Sequence, residues 1–275
     1  MASDEGRNCE HVYTKSSAPC FIRRQPTATY FLLTFALSWS GALAVASPYL
    51  LRNEEVPKFT GLLMFPAMLT GPSIAGILLT AITEGASGVT ELFRKMLHIR
   101  VPGHWYAWLA IPPALVLAVL LLLRTLISRV FSPNHLFIGA AFGIPAGILE
   151  EIGWTGFAFP RMQVRFGALV GAIYLGLLWS LWHLPVIAFL GAAPKHGSRV
   201  LLFFLAFAVA MSAIRVLISL LYAGTQSLFM AQLMHISSTA ALVIFGPFQV
   251  NAGQEAFWYF AYGLVLWIIV AIIRR

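Results

Sequence analysis

Five side chains in this sequence have no business in apolar surroundings unless they work there. Glu150 and Glu151 stand side by side in IPAGILEEIGWTGFAF, His183 interrupts LLWSLWHLPV, His235 interrupts AQLMHISSTA, and Arg215 interrupts MSAIRVLISL. Ionisable groups inside hydrocarbon cost several kcal/mol each, so they mark functional positions by default. A buried carboxylate and an imidazole can share and activate a water, the carboxylate as general base and the imidazole as its holder. A second imidazole or a hydroxyl can donate to the oxyanion that forms when a carbonyl becomes tetrahedral. His235 and Thr239 are four apart and so share one helix face, with Ser238 beside them. Glu150 and Glu151 lie about 100° apart around a helix, so each faces a different partner. The set has the parts of a water-activating hydrolase. A single intramembrane histidine can equally be a structural hydrogen-bonding group. The elements of several other chemistries are missing: His-Glu-x-x-His, Gly-x-Ser-x-Gly, a phosphate-binding loop and a dinucleotide fingerprint. The reading therefore needs no cofactor, although two glutamates and two histidines leave zinc ligation open.

These residues need a scaffold that holds them at depth in a membrane. The chain has 275 residues, 59% hydrophobic and 10% charged, with mean hydropathy +0.82. Soluble domains carry about 25% charged residues. The expected fold is an all-α integral membrane protein of about eight transmembrane helices. They fall at residues 27–51, 60–83, 105–127, 134–159, 167–190, 199–222, 225–246 and 255–273. Residues 1–26 form a polar tail without a cleavable signal pattern, and 27–275 the polytopic domain. Between the second and third spans, Val89, Leu92, Phe93, Met96 and Leu97 recur at helical spacing opposite Arg94 and Lys95. That predicts an amphipathic helix in the membrane interface over residues 88–105. The cysteines, Cys9 and Cys20, both lie in the tail and have no metal-ligand spacing.

The net charge of +8 is scattered between apolar runs, which argues against nucleic acid and for basic loops at a bilayer surface. With the N-terminus in the cytosol, that side holds 11 of the 18 lysines and arginines and the other side 6, Arg215 being within a span. The bias places both termini in the cytosol; the expected location is the plasma membrane of a prokaryote. Arg161 and Arg165, after the fourth span, are placed to meet anionic headgroups or a substrate carboxylate, and the cavity is expected to open to the cytosol or sideways to lipid.

Three segments, EEIGWTGFAFPRM, LLWSLWHLP and LMHISSTAALVIFGP, resemble in that order the motifs of the CPBP family. This family comprises the type II CAAX prenyl endopeptidases and the bacteriocin-processing and self-immunity proteins related to them. The resemblance centres on a catalytic half at about 134–247. It implies an intramembrane endopeptidase acting on a membrane-associated, in some members prenylated, protein or peptide. Glu150 would work with His183 to activate water, and His235 would stabilise the oxyanion with the residue four further on, here Thr239 in place of asparagine. Glu151 would orient the set. The family is often labelled metallo-dependent, although a metal-free glutamate mechanism is the better-supported reading. The family pattern has arginine where this chain has Thr155. That loss favours the alternative of a non-proteolytic scaffold or self-immunity protein on the same fold. A proton-coupled transporter is a third reading, opposed by the absence of an inverted repeat.

Depth within the spans offers a substitute arginine. Counting from the cytosolic ends, Arg215 lies roughly 10 Å deep and Glu151 roughly 12 Å. Arg215 is thus expected either to pair with Glu151 or to snorkel to the headgroups. The same count puts Glu150 roughly 14 Å deep, His235 roughly 15 Å and His183 roughly 24 Å. For these to share one cavity the fourth helix must tilt, or run past Phe159.

Overall fold

The computed structural model describes residues 20–189 and 197–274. Most of the expected tail and the end of the expected fifth span lie outside the described residues. What is described is helical, with no strand. The helices are α1 Pro26–Leu50, α2 Met64–Met96, α3 Ile111–Leu126, α4 Gly139–Gly153, α5 Phe159–Phe166, α6 Ala168–Trp182, α7 Leu184–Phe189, α8 Val200–Thr225, α9 Leu228–Phe245 and α10 Ala252–Ile273, with shorter helical turns between them. Seven stretches are long and apolar enough to cross a bilayer. The eighth is α4 and α5, joined by a wide π-type turn at Trp154–Ala158. The expected all-α membrane architecture is borne out, with span ends that differ by a few residues.

The π-type turn has a local cause. Pro160 has no N–H to close an α turn onto Gly156, and the Phe159 N–H reaches back five residues to the Trp154 carbonyl. The rod therefore continues to Phe166 instead of ending at Phe159, adding about 10 Å at 1.5 Å per residue. This supplies the extension that the depth mismatch required. The interfacial segment also differs from expectation. It is continuous with α2, bent at Gly85 with φ of 72°, and ends at Met96; residues 97–103 are not helical.

Small residues set how α4 meets its neighbours. Gly139, Gly143 and Gly147 recur every fourth residue on the face packed against α9. A Cβ at Gly143 would stand 2.8 Å from the Ile236 carbonyl oxygen, and one at Gly147 2.7 Å from that of Gln232. The backbones approach as small-xxx-small membrane pairs do. Gln232 Nε2 donates to the Ile148 carbonyl at 3.1 Å and pins the contact. On the other side, Ser73 of α2 donates to the Leu149 carbonyl at 2.5 Å. The next step of the glycine series is Glu151, so the packing that joins α4 to α9 also aims Glu151 at α9.

Candidate active site

Glu151 is fully buried and every direction around it is filled. Its Oε1 lies 2.6 Å from His235 Nδ1, and its Oε2 accepts from Arg215 Nη1 at 2.8 Å and from the Thr155 hydroxyl one turn on. Arg215 is itself 0% exposed, so the guanidinium does not reach the headgroups. Its Nη1 also stands 3.4 Å from Thr155 Oγ1. Because an ionised carboxylate only accepts, the proton at the His235 contact sits on Nδ1, leaving Nε2 free for other work.

Glu150, one residue earlier, has different company. Its Oε2 accepts from the indole N–H of Trp179 at 2.7 Å and from that of Trp154 at 3.2 Å. Among the described residues its Oε1 carries no hydrogen bond. His183 is expected to activate a water together with Glu150; among the described residues the two share no direct hydrogen bond, and both contact Trp179. His183 Nδ1 lies 2.8 Å from the Trp179 carbonyl. A carbonyl only accepts, so Nδ1 is protonated and Nε2 of the neutral ring bears the lone pair. The His183 ring packs between Trp179, Trp182 and Phe207, with centroids 5.1, 4.9 and 5.2 Å away.

Trp179 is the residue that reasoning from charged groups missed. It touches Glu150 through its N–H, His183 through its ring and carbonyl, and His235 ring to ring at 5.2 Å. Arg215 lies over its face, Cζ 4.3 Å from the centroid. Its position four residues before His183, on the same helix face, was the available signal.

A cavity of about 370 Å³ adjoins this cluster. Trp179, His183 and Thr239 line it, together with Phe142, Phe207, Trp258 and other apolar side chains. Its walls come from the start of α2, the starts of α4, α8 and α10 and the end of α9. Those are the ends opposite the N-terminus of α1 and the C-terminus of α10. The cavity therefore lies toward the membrane face away from the termini, not on the side where Arg161 and Arg165 stand. Arg161 does not face headgroups alone: it bonds the Phe157 carbonyl at 2.8 Å, pairs with Glu84 and covers the Phe157 ring at 3.6 Å. Arg165 stands over Phe166 at 5.1 Å.

The donor set fits a divalent cation poorly. Both oxygens of Glu151 are engaged, one by a guanidinium whose charge opposes a metal, and Oε2 of Glu150 is taken by two N–H groups. Among the described residues no three of His, Cys, Asp and Glu are grouped as metal ligands.

With this geometry in view, the sequence can be set beside known proteins. A profile of the family described as type II CAAX prenyl endopeptidase Rce1-like matches residues 131–241. That segment contains Glu150, Glu151, His183, Arg215, His235 and Thr239. A curated protein of Methanococcus maripaludis, CAAX prenyl protease 2, is 26% identical over 172 residues. The resemblance to the CPBP family is borne out. The alignment takes in 58% of this chain and 61% of the archaeal protein, so the chain spans about three-fifths of that relative. All the polar residues singled out in the spans, and the tryptophans that bind Glu150, fall within the CPBP-like segment.

Proposed function

We propose that the chain is an intramembrane endopeptidase that hydrolyses a peptide bond in a membrane-associated protein or peptide, with Glu150 as general base. The observation that supports this most is the division between the neighbouring carboxylates: Glu151 is saturated, whereas Glu150 is held by one oxygen, through Trp179 of the cavity wall and Trp154, and its other oxygen carries no hydrogen bond among the described residues. A water between Glu150 Oε1 and His183 Nε2 gives its proton to Glu150 as its oxygen attacks the substrate carbonyl carbon. The tetrahedral oxyanion takes hydrogen bonds from His235 Nε2 and the Thr239 hydroxyl. For this the His235 ring carries a proton on each nitrogen, Nδ1–H on Glu151 and Nε2–H toward the oxyanion. The C–N bond then breaks, and the proton on Glu150 passes to the leaving amine. No metal takes part. The non-proteolytic alternative drew on the missing arginine at Thr155, and Arg215 on Glu151 takes that argument away.

The basic bias of the loops supports termini in the cytosol. The cavity then faces the opposite side, and its apolar lining suits an apolar or lipidated segment entering there. A cytosolic CAAX tail would need the reverse orientation. Cysteines introduced at Phe248 and at Arg274 should be labelled by an impermeant maleimide from opposite membrane faces, Arg274→Cys from the cytosol. Labelling of Phe248→Cys from the cytosol would reverse the orientation and favour a cytosolic substrate.

The activity is tested with purified protein in detergent and a quenched library of membrane peptides, prenylated and not. Turnover that disappears in Glu150→Ala and survives a chelator is expected. Turnover that survives Glu150→Ala, or is lost to the chelator and restored by zinc, overturns the mechanism.

A further inference from the structure

Arg215 presents a buried charge with few conventional partners. One nitrogen, Nη1, serves Glu151 and Thr155, while Nε and Nη2 are buried and have no hydrogen bond. The guanidinium instead lies over Trp179, Cζ 4.3 Å from the ring centroid. A desolvated arginine on an indole face is an attractive cation–π contact, and the planar fork suits stacking in a way that an ammonium does not. The indole so covered is the one whose N–H reaches Glu150 at 2.7 Å. Its ring also borders His183 and His235. From one side chain, therefore, two routes lead to the two glutamates.

We infer that Arg215 is a positioning residue for both carboxylates, holding Glu151 by an ion pair and Glu150 by fixing the Trp179 indole that donates to it. This goes beyond an arginine that merely neutralises Glu151. Trp179 has room to turn about its side-chain bonds only if its face is uncovered. With the guanidinium over one face and two histidine rings in T-shaped contact, the N–H is held on Glu150 Oε2, which directs Oε1 away from the indole. A lysine at 215 would keep the charge for Glu151 but lose the flat surface. Phenylalanine at 179 would keep an aromatic face for Arg215 but lose the donor.

The first test needs no substrate. In protein carrying ¹⁵N-tryptophan, the Trp179 indole N–H resonance is assigned by its loss in Trp179→Phe. It should lie downfield, as for a donor to a carboxylate, and move upfield in Glu150→Gln. In Arg215→Lys it should also leave its wild-type position, by shifting or by broadening. A Trp179 resonance unmoved by Arg215→Lys overturns the inference. Should Arg215→Lys not fold, Arg215→Gln combined with Glu151→Gln, which strands no charge, takes its place in the same measurement.

The second test is kinetic and rests on the peptidase reading. Trp179→Phe should lower kcat about 100-fold with KM within about twofold, the size expected when a reacting group is misplaced. Arg215→Lys should lower kcat too, and the double variant should fall no more than about threefold below Trp179→Phe alone, because both changes break one route. Effects that multiply, or a Trp179→Phe enzyme within about threefold of wild type, refute the coupling. If the resonance responds but no variant or wild type turns over any peptide, the peptidase reading fails and the coupling stands.

Discussion

Two neighbouring carboxylates, one peptide bond apart, sit in opposite chemical settings. Around Glu151 everything is charge and saturation: guanidinium, imidazole and hydroxyl close on both oxygens. Glu150 instead holds two indole N–H groups on a single oxygen. The 100° between consecutive helical residues is enough to send one toward α8 and α9 and the other toward the tryptophans. The difference teaches that a doubled glutamate is not a redundancy. One residue of such a pair can bear the cost of organising a dry site while its neighbour is left with a free oxygen.

That contrast can be broken from the Glu151 side with the largest effect. Arg215→Leu strands a buried carboxylate and should cost about 3–5 kcal/mol in an unfolding titration in mixed micelles. Adding Glu151→Gln should recover more than half of that loss; simple addition of the two single losses would mean that the pair is not a unit. A smaller effect is expected from Thr239→Val. Removing one oxyanion donor should lower kcat by about 100-fold, worth about 2.7 kcal/mol, with the fold unchanged, as read by turnover beside an unfolding curve. Next comes the seam that aims Glu151. Gly147→Val forces a side chain against the Gln232 carbonyl and should destabilise by about 1–3 kcal/mol, with turnover falling as α4 moves off α9. The mildest change, Ser73→Ala, removes a hydrogen bond to the Leu149 carbonyl without touching either glutamate. It should cost about 1 kcal/mol and leave turnover per folded molecule as it was.

Much of this arrangement could be read from residues alone, and the limits are physical. Span number followed from length and apolarity, because hydrocarbon thickness fixes both. The meeting of Arg215 with Glu151 was one of two outcomes that the depth count left open, and that count took the fourth span to end at Phe159, whereas its rod runs on to Phe166. Rotation about each helix axis was the hard part. Membrane helices are apolar on nearly all sides, so periodicity does not say which face looks inward. Gly139, Gly143 and Gly147 did hold that information, since only small residues admit a backbone so close, and their series runs on to Glu151. Trp179 escaped notice for the opposite reason. A tryptophan in an apolar span reads as bulk, and the polar N–H at its edge declares itself only when a carboxylate stands opposite. The cavity's position could not be read from loop charge, which reports orientation in the membrane, whereas the cavity follows from where helix ends splay.

The division of labour between the glutamates is tested most directly by comparing Glu150→Gln and Glu151→Gln in parallel, measuring unfolding and turnover per folded molecule on the same preparations. Glu150→Gln should unfold with the wild-type midpoint and lose about 10³-fold or more of its turnover, whereas Glu151→Gln should unfold markedly earlier. A Glu150→Gln protein that turns over within about tenfold of wild type, or that is destabilised as much as Glu151→Gln, would contradict the account.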